Sequence, residues 1–526
     1  MEQVNFGYSA KNIPVPHDDM YLQILTTKWR KFTQNARKKA YHFLKKNATK
    51  SKKETFGFKS TDPASEIPLL KPFEEAFTEV IKNVKFGRKL NHFQKQLKQD
   101  VRKINSESRP HVKGDKSSFY YLMEADKLNN LMKREIEKDF RKATAKEVDK
   151  VDDGQKKIVR DLELQDRVFV TTQRPAFATL KDHKENFHAN PKVRVINPQK
   201  PEVGRISKQI LEKVNTVVRQ KSGLKQWQNT AAVVDWFKNI EDKKSMTFIK
   251  FDIISFYPSI TKELLKDAIS WARRFVKISK KEENTILEAK KTLLLKDGTT
   301  WVKKTGDFFD VAQGSYDGAE TSELVGLFLL NEISQIGGID VGLYRDDGLG
   351  ATRASPRQAE IIRKKISAVC KKYGLGTTST ANSKREEFLD VFFDLENESF
   401  RPYLKDNNIP QYVHKLSNHP PAVLKNIPQG VNKRLSSISS SEQMFESAAP
   451  IYREALAKSG FDFELKYDPE ACNPKNKKKR RSRKILWFNP PFSSNVKTNL
   501  AKEFLKLLDK CFPPDTNSES YLTETQ

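Results

Sequence analysis

Cysteine is scarce. Three cysteines, Cys370, Cys472 and Cys511, stand far apart in 526 residues. There is no CxxC pair and no Cys/His cluster at metal-ligand spacing, which argues against a zinc site and a disulfide framework. Long apolar runs are missing too; none approaches the roughly 20 residues of a membrane span. The opening MEQVNFGYSA lacks the charged-then-apolar pattern of a secretion signal. No tandem repeat occurs. Acidic residues are outnumbered, 67 against 96 basic, for a formal net charge of +29. The expectation is a soluble protein of the nucleus, or of nucleus and cytoplasm, with no membrane partner.

What is present points to a polyanion. An excess of Lys and Arg this large favours phosphate backbones, because each contact releases condensed counterions. The apolar fraction, 37%, is enough for a sizeable core. The texture divides the chain into four parts: a basic arm and linker over 1–60, a helical region over 61–167, an α+β segment over 168–403 and a helical, basic segment over 404–526. In the arm, Leu22, Leu25, Trp29, Phe32 and Tyr41 recur at a roughly helical period with basic residues between. That pattern suits an arm on nucleic acid or a stripe packed on the body. Helical blocks are expected over Phe73–Ile104 and Ala125–Asp161. The run KNKKKRRSRK, ending at Lys484, suits a nuclear-localisation signal, a nucleic-acid groove or a solvated loop.

Two segments carry chemistry. MTFIKFDIISFYPSI places Asp252 at the end of an apolar strand, and a buried carboxylate is costly unless paired or metal-bound. An Asp capping a turn above a core Tyr would give the same pattern. GGIDVGLYRDDGLGATRAS is a strand, an acidic turn and a second strand, with Asp346 and Asp347 adjacent. An ordinary surface Asp-Asp-Gly turn is the alternative. Together, one carboxylate from a strand and two from a nearby hairpin form a ligand set for two Mg²⁺ ions, with Mn²⁺ as a substitute. Such a pair serves in-line phosphoryl transfer.

In order and wording these segments resemble the palm of reverse transcriptases. FDIISFYPSI is similar to their motif A, DVAQGSYDGAETSELVGLFLLNEI to motif B and YRDDGLG to motif C. The resemblance implies a right-hand polymerase of α+β class: fingers over about 168–246, a palm with an antiparallel sheet packed on helices, and a helical thumb from about Lys405. It assigns Asp252, Asp346 and Asp347 to the metals. Tyr257 falls beneath the sugar of the incoming nucleotide, where its ring excludes a 2′-hydroxyl, and Gln313 and Gly314 fall against the nucleotide and template base. In the fingers-like phrase PAFATLKDHKENFHANPKVRVINP, Arg194 clamps the triphosphate, with Lys181 and Lys184 nearby. Lys384 falls on the motif D lysine, a general acid, and Phe388-Leu389-Asp390 on the primer-gripping hairpin.

Within that group the chain resembles the reverse transcriptases of Penelope-like retroelements. GDKSSFYYLM, with Asp115 and Lys116, is similar to their N-terminal DKG motif, with Ser117 in place of the glycine. ATLKDHK, HKLSNHPPAVLKNIP and WFNPPFSSNVKTN are similar to further phrases of theirs, so the likeness spans about 56–512. The GIY-YIG endonuclease pattern of many members does not occur, so the expectation is an endonuclease-lacking retrotransposon enzyme that extends existing 3′ ends, such as chromosome termini, or a truncated copy. Its implied partners are an RNA template, a DNA primer or RNA–DNA hybrid, and dNTPs. No RNase H pattern is seen. Family B DNA polymerases fit less well because their second acidic motif separates the carboxylates. RNA-dependent RNA polymerases carry a small or acidic group where Tyr257 stands. A domesticated, catalytically inactive nucleic-acid-binding protein retaining the fold is the alternative from another class.

Overall fold

The computed structural model describes residues 2–4, 6–44, 56–58, 65–87, 89–117, 119–168, 174–305, 307–405, 410–472 and 486–513. The run KNKKKRRSRK and most of the linker lie outside the described residues.

The architecture mixes helices with small antiparallel sheets, as the α+β expectation requires. At its centre is a four-stranded sheet in the order Asp340–Tyr344, Asp347–Thr352, Thr247–Ile253, Thr377–Ser383, every pair antiparallel. The strand Thr247–Ile253 is central because both its faces are apolar. Side chains alternate across a strand, so Ile249 and Phe251 point to one face and Phe248 to the other. Ile249 and Phe251 pack on Leu330 and Ile333 of helix Gly318–Ser334 and on Ala359, Ile362 and Ile366 of helix Pro356–Lys372. Phe248 joins Leu349, Ala351, Trp227, Phe237 and Phe393 on the opposite face. Each such fully buried side chain contributes about 1.5–3 kcal/mol. Helix Gly318–Ser334 is apolar around most of its circumference. It is therefore buried, with Leu324, Val325, Leu327 and Leu329 packed away from the sheet among helices Glu202–Ser222 and Lys262–Ala272.

Two expected helical blocks are each divided. The first is helices Lys71–Lys82 and His92–Ser106, the second starting at a capping box on Asn91. The second is Ala125–Asp139 and Ala145–Asp161, separated by a short strand, Phe140–Lys142. That strand pairs with Thr299–Lys303, far along the chain.

The basic arm is helix Asp18–Leu44, and its apolar stripe is packed on protein. Tyr21, Leu25 and Trp29 are buried with Phe73, Phe77 and Ile81 from Lys71–Lys82 and with Leu500 from the late helix Leu500–Cys511. Phe488 and Phe504 complete this aromatic cluster. Helices Pro421–Ser437 and Glu442–Lys458 form a separate small core on Leu435, Phe445, Ala449 and Leu456. Among the described residues no helix is long and apolar enough to cross a membrane.

Candidate active site

Antiparallel pairing sets Asp252 opposite Asp347, and directly paired residues point to the same face. The charge of each carboxylate therefore bears on the other. The connection to Asp346 is through the backbone: the Ile253 amide donates to the Asp346 carbonyl at 3.0 Å. Asp346 itself occupies the two-residue turn with Arg345, whose φ of +56° makes the turn tight. Gly348 follows because nothing larger fits. A Cβ there would lie 2.1 Å from the Phe251 ring, so the ring closes the sheet beneath the acidic turn.

This is an electrostatically uncomfortable arrangement. Burial, then the charges of Asp346 and Asp252, push the Asp347 carboxyl up to about 6. Burial also raises Asp346, with Asp252 adding to it. Three cations bear on the turn: Arg345 and Lys116 act on Asp346, and Lys405 on Asp347. None of the three forms an ion pair with these carboxylates among the contacts of the described residues. Among those residues, too, no three His, Cys, Asp or Glu side chains are gathered tightly enough to close around one ion. The hard oxygens of the Asp252–Asp347 pair, partly buried and mutually repelling, fit a divalent cation. Asp346 stands at the edge of that pair.

The chain turns sharply after the central strand. Ser255 takes a φ of +51°, and the short helix Phe256–Ser259 carries Tyr257. The Lys303 amine steadies that turn, donating to the Pro258 carbonyl at 3.2 Å and to Asp310 at 2.6 Å. The half-buried Tyr257 ring packs at the start of helix Gly318–Ser334, 3.6 Å from where a Cβ on Gly318 would sit. Just before that helix, Gly314 has a φ of +99°, a conformation that favours glycine. Its hypothetical Cβ points at the Asn197 carbonyl and the Ile196 side chain, each 3.7 Å away. The Gln313-Gly314 turn thus abuts the hairpin Phe177–Leu180/Val193–Ile196, the hairpin that carries Arg194.

On this hairpin Arg194 pairs with Asp115 at 3.3 Å. Lys181 lies beside them, half-buried, its amine pulled down by burial. Lys184 is exposed in the loop between the strands.

Lys384 is not brought to the carboxylates. Thr378 pairs with Asp252, whereas Ser383 pairs with Phe248 after a register shift. Lys384 therefore sits at the opposite end of the central strand, about 16 Å away at 3.3 Å per residue. Its amine donates to the Lys244 and Met246 carbonyls, both at 2.7 Å. The expectation of a lysine beside the triphosphate is corrected here to a lysine that fastens a strand end. At the turn Phe388-Leu389-Asp390, Asp390 accepts from Thr230 at 2.7 Å and pairs with Arg434 of helix Pro421–Ser437. Residue-by-residue reading of the sequence gave Lys405 no role at the site. Lys405 follows strand Ser399–Pro402, which belongs to a separate three-stranded sheet, and no local pattern links it to Asp347.

The chain is similar in fold to solved polymerases. Telomerase from Candida tropicalis matches with a TM-score of 0.46 at 12% identity, over 84% of this chain and 86% of that one. Telomerase from Candida albicans, solved with a TWJ fragment of telomeric RNA, matches with 0.44 at 10% identity, over 89% and 80%. The RNA-dependent RNA polymerase of a human picobirnavirus matches with 0.38 at 10% identity, over 75% and 84%. No protein-family model matches the chain, and no curated protein does. The likenesses are distant, and the weight of a functional reading falls on the carboxylates and the turns around them.

Proposed function

We propose that this protein is an RNA-directed DNA polymerase of a retroelement, of the Penelope-like kind, acting in the nucleus. It extends a DNA primer on an RNA template from dNTPs. The observation that carries this reading is the pairing of Asp252 with Asp347 at the mouth of an antiparallel sheet, with Asp346 in the adjoining turn. Mg²⁺ or Mn²⁺ held by the Asp252–Asp347 pair, with Asp346 at its edge, would activate the primer 3′-hydroxyl and neutralise the leaving pyrophosphate. Arg194 and Lys181 supply positive charge for the triphosphate, and the fork of an arginine suits phosphate oxygens. The Gln313-Gly314 turn offers bare backbone for the nascent base pair. Tyr257 stands where a ring would exclude a 2′-hydroxyl.

Purified protein is expected to extend a DNA primer on an RNA template with Mg²⁺ and dNTPs. Tyr257→Ala is expected to raise ribonucleotide incorporation relative to dNTP by about tenfold or more, the scale on which a lost pocket contact relaxes discrimination. Hybrid binding without any extension, in either metal, would overturn the enzyme reading in favour of a nucleic-acid-binding protein that retains the fold.

A further inference from the structure

The segment that resembles an N-terminal family motif lies far from the Arg194 hairpin in sequence, and the fold joins the two. The turn Gly114–Ser117 follows strand His111–Lys113 and docks on the Arg194 hairpin. The Asp115 amide donates to the Leu180 carbonyl at 2.7 Å. Ser117 donates to the Asp182 carboxylate, and Tyr121 does so at 3.2 Å. The serine that replaces the family's glycine thus fastens the turn to the hairpin.

Asp115 is the centre of this joint. Its side chain is only 7% exposed, while that of Arg194 is 38% exposed. One carboxylate oxygen, Oδ1, meets the Arg194 Nη1 at 3.3 Å and the Thr179 hydroxyl at 3.4 Å. The other, Oδ2, is buried with no hydrogen-bond partner. A guanidinium has five donors in a planar fork. A single contact from Asp115 fixes the direction of the group and leaves the outer face of the fork free. Lys116, next in the chain, is exposed.

We propose that the turn Gly114–Ser117 is part of the nucleotide pocket: Asp115 is a positioning residue that aims Arg194, and Lys116 is a ligand for the phosphates of a nucleoside triphosphate. Lys116 follows Asp115 in a turn that the Gly114–Leu180 bridge and the Asp115 amide fasten to the Arg194 hairpin, so its exposed amine adds charge to the hairpin that carries Arg194 and Lys181; its charge also acts on Asp346 and on His183. The proposal rests on the polymerase reading and adds to it a part contributed by the N-terminal region.

The test separates the two. Binding of a fluorescent dNTP with Mg²⁺ to the full chain bound to hybrid is measured beside steady-state extension. Asp115→Asn is expected to weaken nucleotide binding and raise KM for dNTP about tenfold with kcat little changed, the scale of one lost close charge pair. In an Arg194→Ala background it is expected to add nothing further, because it acts through that arginine. Asp115→Glu is expected to restore most of the binding. Lys116→Ala, at an exposed position that does not threaten folding, is expected to weaken binding several-fold. Normal nucleotide binding in Lys116→Ala, or an Asp115→Asn effect that persists without Arg194, would overturn the proposal while leaving the polymerase standing. Wild-type protein that extends no primer and binds no dNTP would sink both.

Discussion

Asp317, fully buried, and Asp347, half-buried, are treated in opposite ways by the same fold. Asp317 precedes helix Gly318–Ser334 and is ion-paired with Lys290, both side chains 1% exposed. Burial pulls the Lys290 amine down, and Asp317 and then Glu320 act against that. Asp347 faces another carboxylate, and the charge of Lys405 offsets this only weakly. A buried carboxylate needs a partner. Where the chain supplies one, the site is scaffold: the Lys290–Asp317 pair sets the start of the helix, and with it the Gln313-Gly314 turn. Where the chain places a second acid opposite the first, the partner must come from outside, and a divalent cation answers that need.

The sharpest way to break this contrast is to neutralise one acid in each place. Asp347→Asn is expected to reduce extension by more than the roughly 100-fold that loss of a metal site's outer support costs. Binding to hybrid should be retained. Since the substitution removes a like-charge contact, thermal stability without metal should rise or hold. Full extension by this variant would refute the assignment of the acidic hairpin.

Lys290→Met tests the other side. It leaves Asp317 buried without its cation, and such a break costs about 3–5 kcal/mol. Chemical denaturation should show the loss. The double substitution Lys290→Met with Asp317→Leu should recover most of it, because apolar residues of similar volume replace a buried pair at little cost. A single variant as stable as wild type would mean that the pair is not the anchor argued here.

How much of this contrast is legible in the sequence follows from which contacts are local. Period-two alternation in FIKFDI and the DDG turn between apolar runs identify the central strand and the acidic hairpin, and the register then follows from the buried face. Gly348 is legible as a glycine, though the reason for it, the Phe251 ring, is a cross-strand contact. Lys290 is illegible. In the run EAKKTLLL it resembles a solvated charge, and its burial is decided by Asp317 from a later segment. Lys384 is misplaced by local reading for a related reason. Where it falls along the sheet is set by the antiparallel pairing of Thr377–Ser383 with the central strand, which begins at the Asp252 end and carries Lys384 to the far one. The arm's apolar stripe was open between nucleic acid and protein, and Phe488 and Phe504, more than 400 residues away, decide it.

The smallest effect sharpens the comparison most cleanly, because it needs no substrate. An acid whose folded pKa is raised holds its proton more tightly in the folded state. Asp347 moves from 3.8 to about 6. Well below the unfolded value, under about pH 3, both states are protonated and there is no penalty. As pH rises from about 4 to 6 the unfolded chain releases its proton and the folded one resists. Metal-free stability should therefore fall over that window, by at most about 3 kcal/mol at 1.36 kcal/mol per pK unit, and stay level above it. Added Mg²⁺ should offset the fall above pH 6 and do little below pH 4, where the proton already occupies the site. In Asp252→Asn one of the facing charges is gone, so both the pH slope and the Mg²⁺ stabilisation should shrink. The measurement is melting temperature against pH, with EDTA or Mg²⁺, for the two proteins. Identical slopes, with no response to Mg²⁺ in either, would mean that the Asp252–Asp347 pair is compensated from within the protein, as Asp317 is.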